Sequence, residues 1–393
     1  MSQHPSPRTL FLSACAGILV FGIVFAVLGT VFGLPATRER LQINLAQQGN
    51  LFLLLYFGMF SASLIVGPLI DHLGNKINLL VSSFIVAGAM LLFATAHSLA
   101  AASLAALFLG LGGGGLNTCT NVLVSGLYGE QRGPMLNLLG IFFGIGALFV
   151  PLLAATIEGQ FTIPQLFLFC SALAAACALA YAVISFPPAK AGQTFAWGHA
   201  AEVAKYEGVL LLGFILFLES GNEASIGGWT STYVNRSGYS PRLATLVLAA
   251  YWAALMFGRI LSARVLRSVT KSQLVAGSAL LSVLGCAILL TSQRLVLLVI
   301  GVALIGLSYG PIFPTTLAIA GDRYAKRAGT VFGLLFSIAL TGGMLLPWAV
   351  GQMSQQLGVR MGMLVPALGA VGIIILSIVL MLRDHVRRPA GPA

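Results

Sequence analysis

Long hydrophobic stretches alternate with short polar segments along the whole chain. Each stretch extends over about 20 residues, which as an α-helix is enough to cross a hydrocarbon core of roughly 30 Å. The stretches lack the alternation of polar and apolar positions that the strands of a membrane barrel have. Because backbone groups in lipid must be hydrogen-bonded within the protein, the pattern predicts an all-α integral membrane protein.

Twelve spans are predicted from this pattern. They cover residues 10–34, 46–70, 77–97, 99–127, 133–157, 164–186, 207–234, 241–265, 272–292, 295–320, 328–353 and 359–382. The longest polar interval, residues 187–206, follows the sixth span. We therefore predict two six-helix bundles, residues 1–186 and 207–393, joined by a central cytoplasmic linker of residues 187–206.

Composition narrows the class of protein further. Of the 393 residues, 58% are hydrophobic and 8% are charged, whereas charged residues make up about 25% of a soluble domain. The net charge of +11 does not indicate a nucleic-acid partner, because the basic residues are scattered over short connections instead of forming one patch. All five cysteines lie inside predicted spans, so we expect no disulfide framework.

The distribution of basic residues predicts the orientation. If both termini are cytoplasmic, fifteen of the 21 Lys and Arg residues lie on the cytoplasmic side, and the remaining six lie outside. These six are Arg38, Arg40, Arg236, Arg242, Arg294 and Arg360. By the positive-inside rule we place both termini in the cytoplasm, and the short loops favour a bacterial inner membrane.

The two halves of the sequence repeat each other. A shift of 196 residues pairs Gly110 with Gly306, Gly114 with Gly310, Tyr128 with Tyr324, Gly133 with Gly329, Gly146 with Gly342, and Pro151 with Pro347. Internal duplication of this kind is typical of secondary transporters, in which one half rocks against the other. The repeat predicts two pseudo-symmetric bundles and a transport function.

The segment between the second and third spans, Gly67–Lys76, resembles the cytoplasmic signature loop of the major facilitator superfamily. His72 and Asn75 stand where that family has arginines. The resemblance implies the twelve-helix major facilitator fold and a conformational latch, in which the aspartate caps a neighbouring helix start. The latch residues that it implies are Gly67, Asp71, Gly74 and Lys76.

A finer resemblance is to the fucose–galactose–glucose:proton symporters. It rests on Leu28–Pro35, on Gln47–Gly49, and on the seventh span, where Glu219–Glu223 is followed by Gly227–Trp229 and Tyr233. The resemblance implies a sugar permease. The first span departs from this branch because it contains no carboxylate, so a coupling group at that place is absent.

Glu219 and Glu223 are the two acidic residues that lie deep inside a predicted span. They are four residues apart and share one helix face. A charge at the bilayer centre costs at least about 2.5–3.5 kcal/mol, so retaining two carboxyl groups there indicates a functional site. We predict that one of the pair carries a proton and the other binds substrate. The alternative is that one merely forms a structural hydrogen bond.

Amides and aromatic rings inside the spans are the predicted substrate contacts. Amides donate and accept hydrogen bonds together, which suits sugar hydroxyls, and aromatic rings can stack on the apolar face of a pyranose. The substrate candidates are Asn117, Asn121, Asn222, Trp229, Tyr251 and Tyr309. The alternatives for each are hydrogen bonding between helices, ordinary packing or anchoring at the membrane interface.

These observations favour a proton-coupled transporter, less readily a sodium-coupled one, that moves a small polar solute such as a sugar. A drug or metabolite exporter of the same fold is the alternative, and a non-transporting sensor is a third. An enzyme is not expected, because we find no nucleophile–base pair, phosphate loop or metal-ligand cluster. We predict no cofactor, a monomer in the lipid bilayer, and no nucleic-acid partner.

Overall fold

The computed structural model describes residues 6–129, 132–156, 162–187, 203 and 205–386. Within these residues the regular structure is entirely helical. The α-helices are α1 (Pro7–Phe32), α2 (Pro35–Leu41), α3 (Leu45–Thr95), α4 (Leu99–Tyr128), α5 (Arg132–Thr156), α6 (Ile163–Val183), α7 (Glu207–Arg236), α8 (Pro241–Val265), α9 (Lys271–Thr291), α10 (Leu295–Arg323), α11 (Ala328–Leu357), α12 (Val359–Gly362) and α13 (Leu364–Val386). The prediction of an all-α protein is confirmed.

Eleven helices among the described residues are long and apolar enough to cross a membrane. One of them, α3, has 51 residues, about twice the length that a single span needs. Its helical geometry is interrupted at Gly74, which has φ 78° and ψ 169°. With α3 counted as two spans that meet at Gly74, the helices match the twelve predicted spans.

Two short helices were not predicted. The first span ends at Phe32 and is followed by α2, whose first residue is Pro35. The region expected to open the twelfth span instead forms α12, so the last long helix begins at Leu364. Proline at a helix start loses no backbone hydrogen bond, which explains why Pro35 begins a new helix instead of extending the first span.

Side-chain caps mark several helix starts. Asn44 accepts a hydrogen bond from the Gln47 backbone N–H at 2.9 Å, and the Gln47 side chain accepts one from the Asn44 N–H at 2.9 Å. Thr270 and Gln273 form the same reciprocal pair at the start of α9. Such capping boxes satisfy two of the backbone donors that a helix start leaves unpaired, and they separate helices across short connections.

The described residues divide into two compact units. The first unit comprises the described residues of Met1–Thr194 and Gly228–Ala249, and the second comprises those of Phe195–Gly227 and Ala250–Ala393. The C-terminal end of α7 and the first part of α8 therefore pack with the first unit. The domain boundaries expected from the sequence stay a prediction, and most of the linker, residues 188–202 and 204, lies outside the described residues.

Close helix contacts repeat in the two units. In the first unit, Gly110 of α4 lies against the carbonyl oxygen of Leu55 in α3, so closely that a Cβ would overlap with it. In the second unit, a Cβ at Gly306 of α10 would lie 2.5 Å from the carbonyl oxygen of Tyr251 in α8. The shift of 196 residues relates Gly110 to Gly306 and Leu55 to Tyr251. The repeated glycines therefore serve helix packing.

Candidate functional site

The two glutamates of α7 lie side by side in the second unit. Glu219 is fully buried, and Glu223 is 7% exposed. Their carboxyl groups interact with each other, as expected for residues four apart on a helix. Oε2 of Glu219 accepts a hydrogen bond from the Ser220 hydroxyl at 3.1 Å, and Oε1 has no hydrogen-bonding partner among the described residues. The two carboxyl groups therefore lie together, and their roles stay a prediction.

Arg259 joins this pair. Its guanidinium Nη2 lies 3.9 Å from Oε2 of Glu223, and its side chain is 30% exposed. Arg259 is one of the fifteen basic residues that the positive-inside rule places on the cytoplasmic side, and it is not among the predicted site residues. In the structure it lies inside α8, six residues before the end of that helix. Its distance from the helix end was the signal that could have identified it.

Asn222 and Tyr309 lie next to the glutamates. Both side chains are fully buried. The Tyr309 hydroxyl of α10 faces the Asn222 amide and the Ser282 hydroxyl, but it makes no hydrogen bond of ordinary geometry with any described residue. The Asn222 amide also lies against the backbone of Gly369 in α13. These two predicted substrate residues therefore share one buried polar region with Glu219.

Tyr251 closes the cluster on the side of α8. Its hydroxyl donates a hydrogen bond to the backbone carbonyl of Glu223 at 3.3 Å. Its ring meets that of Trp252 edge to face, with centroids 4.9 Å apart, and Trp252 packs on Gly227. The second unit thus brings together five predicted site residues. With Arg259 they form the cluster Glu219, Asn222, Glu223, Tyr251, Arg259 and Tyr309, called here the α7 cluster.

The predicted asparagines of α4 belong to the first unit. The Nδ2 group of Asn121 donates to the backbone oxygen of Asn117 at 2.7 Å and to its Oδ1 at 2.9 Å. Both side chains are half-buried. Each amide keeps further donor or acceptor capacity, so the pair can bind a hydroxylated solute without losing its internal bond.

Trp229 lies nearer the C-terminal end of α7 than the glutamates do. It belongs to the part of α7 that packs with the first unit, and it is fully buried. Its ring lies 6.0 Å from that of Phe52, which in turn meets Phe32 edge to face at 5.4 Å. These contacts are aromatic packing between helices, one of the alternatives named for Trp229, and its role in substrate binding stays a prediction.

The signature loop lies at the break in α3. Gly74 is buried and adopts the positive φ that favours glycine, and its carbonyl oxygen accepts a hydrogen bond from Asn78 at 2.8 Å. Gly67, Asp71 and Lys76 are half-buried around this break. The geometry explains why glycine is required at position 74, whereas the latch function of the four residues stays a prediction.

The C-terminal end of α7 is anchored within the first unit. The Ser231 hydroxyl donates a hydrogen bond to the Gly29 carbonyl of α1. Arg38 of α2 donates from Nη2 to Oδ1 of Asn235 at 2.9 Å. The α2 helix is itself fixed by Arg40, which donates to the carbonyl oxygens of Ala96 and Phe93.

Electrostatics around α2 do not disturb these bonds. Burial lowers the pKa of the Arg38 guanidinium, the nearby charge of Arg236 lowers it further, and Glu39 opposes this. Burial also lowers the pKa of Arg40. Arginine nevertheless stays protonated at physiological pH, so both side chains remain donors.

A cavity of about 520 Å³ opens next to α2, lined by Pro35, Arg38, Glu39, Gln42, Ile43, Asn44 and Arg236. None of the predicted site residues lines it.

No group of three or more His, Cys, Asp or Glu side chains in the described part of the chain is arranged to hold a metal ion. The polar groups of the α7 cluster are suited to binding hydroxyl groups and to holding or releasing a proton.

Comparison with known proteins identifies the family. A sequence profile described as Major Facilitator Superfamily matches residues 14–292 and 212–393, which together span nearly the whole chain. The chain belongs to the major facilitator superfamily. This confirms the resemblance carried by the signature loop, and it makes the protein a multi-pass membrane protein of a transporter family.

Individual relatives are distant. An uncharacterised transporter of this superfamily from Yersinia pestis is 23% identical over 171 residues, 43% of this chain and 43% of that protein. A glucose/galactose transporter of Brucella abortus is 24% identical over 161 residues, 40% and 39% of the two chains. The sodium-dependent glucose transporter 1 of Rattus norvegicus is 30% identical over 141 residues, 35% of this chain and 28% of that one. The chain thus matches less than half the length of each of these three relatives.

Solved structures share the fold over the full chain. The nucleoside transporter NupG superposes with a TM-score of 0.78 at 15% identity, covering 95% of this chain and 99% of NupG. A bacterial homologue of the human lysosomal transporter Spinster also gives a TM-score of 0.78, at 14% identity with complete coverage of both chains. These similarities establish the fold, and they leave the solute open.

Proposed function

We propose that this protein is a proton-coupled transporter of a small hydroxylated solute, in the simplest case a hexose. It would reside in a bacterial inner membrane as a monomer with both termini in the cytoplasm. The observation that carries the proposal is the α7 cluster, in which two buried carboxyl groups interact next to the buried Asn222 amide and Tyr309 hydroxyl.

The glutamates support proton coupling. Two carboxylates in contact repel each other when both are ionised, and burial adds to the cost of each charge. Uptake of a proton relieves both effects, and access to water favours its release. A group with these properties can couple transport to a proton gradient when the site opens alternately to the two sides of the membrane.

The surrounding polar groups support a hydroxylated solute. Asn222 and Tyr309 are fully buried and make no hydrogen bond of ordinary geometry with the described residues. Buried polar groups of this kind are costly unless a partner binds them. A hydroxyl group both donates and accepts, so it can pair with an amide and a phenol together. The similarity to the glucose/galactose transporter of Brucella abortus supports a sugar as that solute.

The test is uptake into proteoliposomes of a panel of labelled hexoses. Each is measured with an inward proton gradient, with an inward sodium gradient and with neither. The sodium arm is included because one relative is a sodium-dependent glucose transporter. We expect accumulation of one sugar that depends on the proton gradient, and at least a tenfold loss in Glu219→Gln and Glu223→Gln.

A matched control is available on the same helix. Glu207→Gln makes the same chemical change at the exposed start of α7, where Glu207 pairs with Arg383 at 2.8 Å. It should transport as the wild type does. If no hexose accumulates in proteoliposomes of folded protein, the sugar proposal is wrong and the exporter alternative replaces it. Sugar uptake that persists in both glutamate variants would contradict the role given to the α7 cluster.

A further inference from the structure

Charged side chains are almost absent from the middle of the membrane spans. In the described part of the chain, with α3 counted as two spans, three such residues lie more than one helical turn from the ends of their span. They are Glu219, Glu223 and Arg259. Helices α9, α10, α11 and α13 of the second unit have no Asp, Glu, Lys, Arg or His outside their first or last turn. The charge of the membrane interior is therefore set by one cluster.

The three groups carry a net charge of −1 when both glutamates are ionised. Because an uncompensated charge in the membrane interior is costly, the neutral state with one bound proton is favoured. The other titratable groups near the cluster are Tyr251, Tyr309 and, beside Tyr309, Cys286, which are uncharged in their protonated forms. A second bound proton would leave the cluster with a charge of +1, so the charge count favours a single proton.

Arg259 stabilises the ionised form of one glutamate more than that of the other. It contacts Glu223 at 3.9 Å, and a carboxylate next to a guanidinium is stabilised in its charged form. Glu219 is more deeply buried, and it accepts a hydrogen bond from the neutral Ser220 hydroxyl. The protonated form is therefore favoured at Glu219 and the ionised form at Glu223.

We propose that Arg259 is a positioning residue that keeps Glu223 ionised, so that the single proton of the α7 cluster is carried by Glu219. The inference rests on the proposed proton coupling and states which glutamate carries the proton. In each cycle Glu219 takes one proton from water on one side and gives it to water on the other. The cluster alternates between net charges of 0 and −1, and no electron is transferred.

The test labels the purified wild-type protein in detergent with dicyclohexylcarbodiimide at pH 7. This apolar reagent adds to protonated carboxyl groups, and peptide mass spectrometry then identifies the modified residue. We expect modification at Glu219 and at least tenfold less at Glu223. Glu207 is the internal control, because it is exposed and paired with Arg383 and should stay unmodified. No solute is needed, so the result does not depend on the identity of the sugar.

Variants of Arg259 test its positioning role. In Arg259→Gln the cluster would carry a charge of −2, so a second proton is expected and both glutamates should be labelled. Arg259→Lys keeps the positive charge and should restore labelling of Glu219 alone. A merely structural arginine would not produce this difference. Each variant is first checked as a monodisperse peak on size exclusion. If Arg259→Gln does not fold, the wild type and Arg259→Lys still determine the assignment.

Three results would overturn the inference. They are labelling of Glu223 in preference to Glu219 in the wild type, labelling of neither, and unchanged selectivity in folded Arg259→Gln. These outcomes are distinct from failure of the proposed function. A protein labelled at Glu219 that accumulates no hexose keeps this proton assignment and loses the sugar, whereas sugar uptake with labelling at Glu223 keeps the transporter and reverses the two glutamates.

Discussion

The first helices of the two halves, α1 and α7, meet their neighbours in the same way. Gly146 of α5 lies against the carbonyl oxygen of Leu19 in α1, and Gly342 of α11 lies against that of Phe217 in α7. In both cases a Cβ on the glycine would overlap with the backbone of the other helix. The two pairs therefore give a common reference point from which to compare the two halves.

The next turns of the two helices carry different chemistry. Two and six residues after Leu19 come Phe21 and Phe25, whereas two and six residues after Phe217 come Glu219 and Glu223. Both pairs are four residues apart and thus share a helix face. Counted from these helix contacts, and not by the shift of 196 residues, the first half has aromatic rings where the second half has carboxyl groups.

The surroundings match each pair. The ring centroids of Phe21 and Phe25 each lie 5.4 Å from that of Phe143. The Phe25 ring also meets the Tyr56 ring edge to face, with centroids 5.6 Å apart. The glutamates instead have Arg259 and neutral polar groups around them. The comparison indicates that one scaffold supports two kinds of interior. The shared glycines fix the helices, and the residues that are not shared concentrate the ionisable chemistry in the second half.

Placing a carboxyl group in the aromatic interior should have the largest effect. Phe21→Glu removes a buried ring and adds a charge without an arginine nearby, so we expect a loss of at least about 3 kcal/mol in stability. Phe21→Leu, the control, should lose less than about 1.5 kcal/mol. Thermal unfolding in detergent measures both. A stable, monodisperse Phe21→Glu variant would mean that the first half also accommodates charge, and the contrast between the halves would fail.

Replacing the repeated glycines at the helix contacts should cause the next largest loss of stability. Gly110→Ala and Gly306→Ala each force a methyl group onto a backbone carbonyl of the facing helix. We expect each to cost about 1–3 kcal/mol, and the double variant to lose about the sum because the sites lie in different halves. The measurement is the shift in thermal unfolding midpoint.

Two glycines in the same helical context provide the controls. At Gly88 of α3 and Gly277 of α9, an added methyl group would have no neighbouring atom within 4 Å. Gly88→Ala and Gly277→Ala should leave stability unchanged or raise it slightly, since alanine favours the helix. Equal losses at the crowded and the open glycines would show that helix propensity, instead of packing, determines the effect.

Most of the fold could be predicted from the sequence because lipid allows few solutions. Span lengths, the repeat and the signature loop predicted twelve helices, and the family comparison confirmed the superfamily. The α2 helix was missed because seven residues carry no clear periodicity. Arg259 was missed because it was counted with the basic residues of a cytoplasmic connection, although it lies six residues before the end of α8. Only the packing of α8 against α7 brings it to Glu223, and the sequence does not contain that information directly.

The aromatic contacts at the C-terminal ends of α4 and α10, the fourth spans of the two halves, should have a moderate effect on stability. Tyr128 meets Phe11 edge to face at 5.7 Å, and its repeat partner Tyr324 stacks on Tyr206 at 6.1 Å. Tyr128→Leu and Tyr324→Leu should each cost about 0.5–1.5 kcal/mol in stability. Arg327 donates to the Tyr206 hydroxyl at 3.0 Å and fixes that ring, so the loss at Tyr324 should be the larger. A larger loss at Tyr128 in thermal unfolding would reverse this order.

The smallest effect should come from an ion pair that the first half lacks. Lys271 at the start of α9 pairs with Asp322 at the end of α10, and the repeat places Asn75 and Gly126 at the corresponding positions. Both side chains are exposed, so the pair should contribute at most about 1 kcal/mol. Each charge alone is unfavourable at its helix end, because a cation lies at an N-terminus and an anion at a C-terminus.

A double-mutant cycle separates these terms. Lys271→Gln and Asp322→Asn should each destabilise slightly, because each leaves one charge at an unfavourable helix end, whereas the double variant should approach the wild type. The thermal unfolding midpoint measures all four proteins, at low and at high salt. Additive losses in the double variant would mean that the two charges stabilise the protein separately. Because the partners are exposed, the coupling between them should shrink at high salt, and the second half should then resemble the first half at this position.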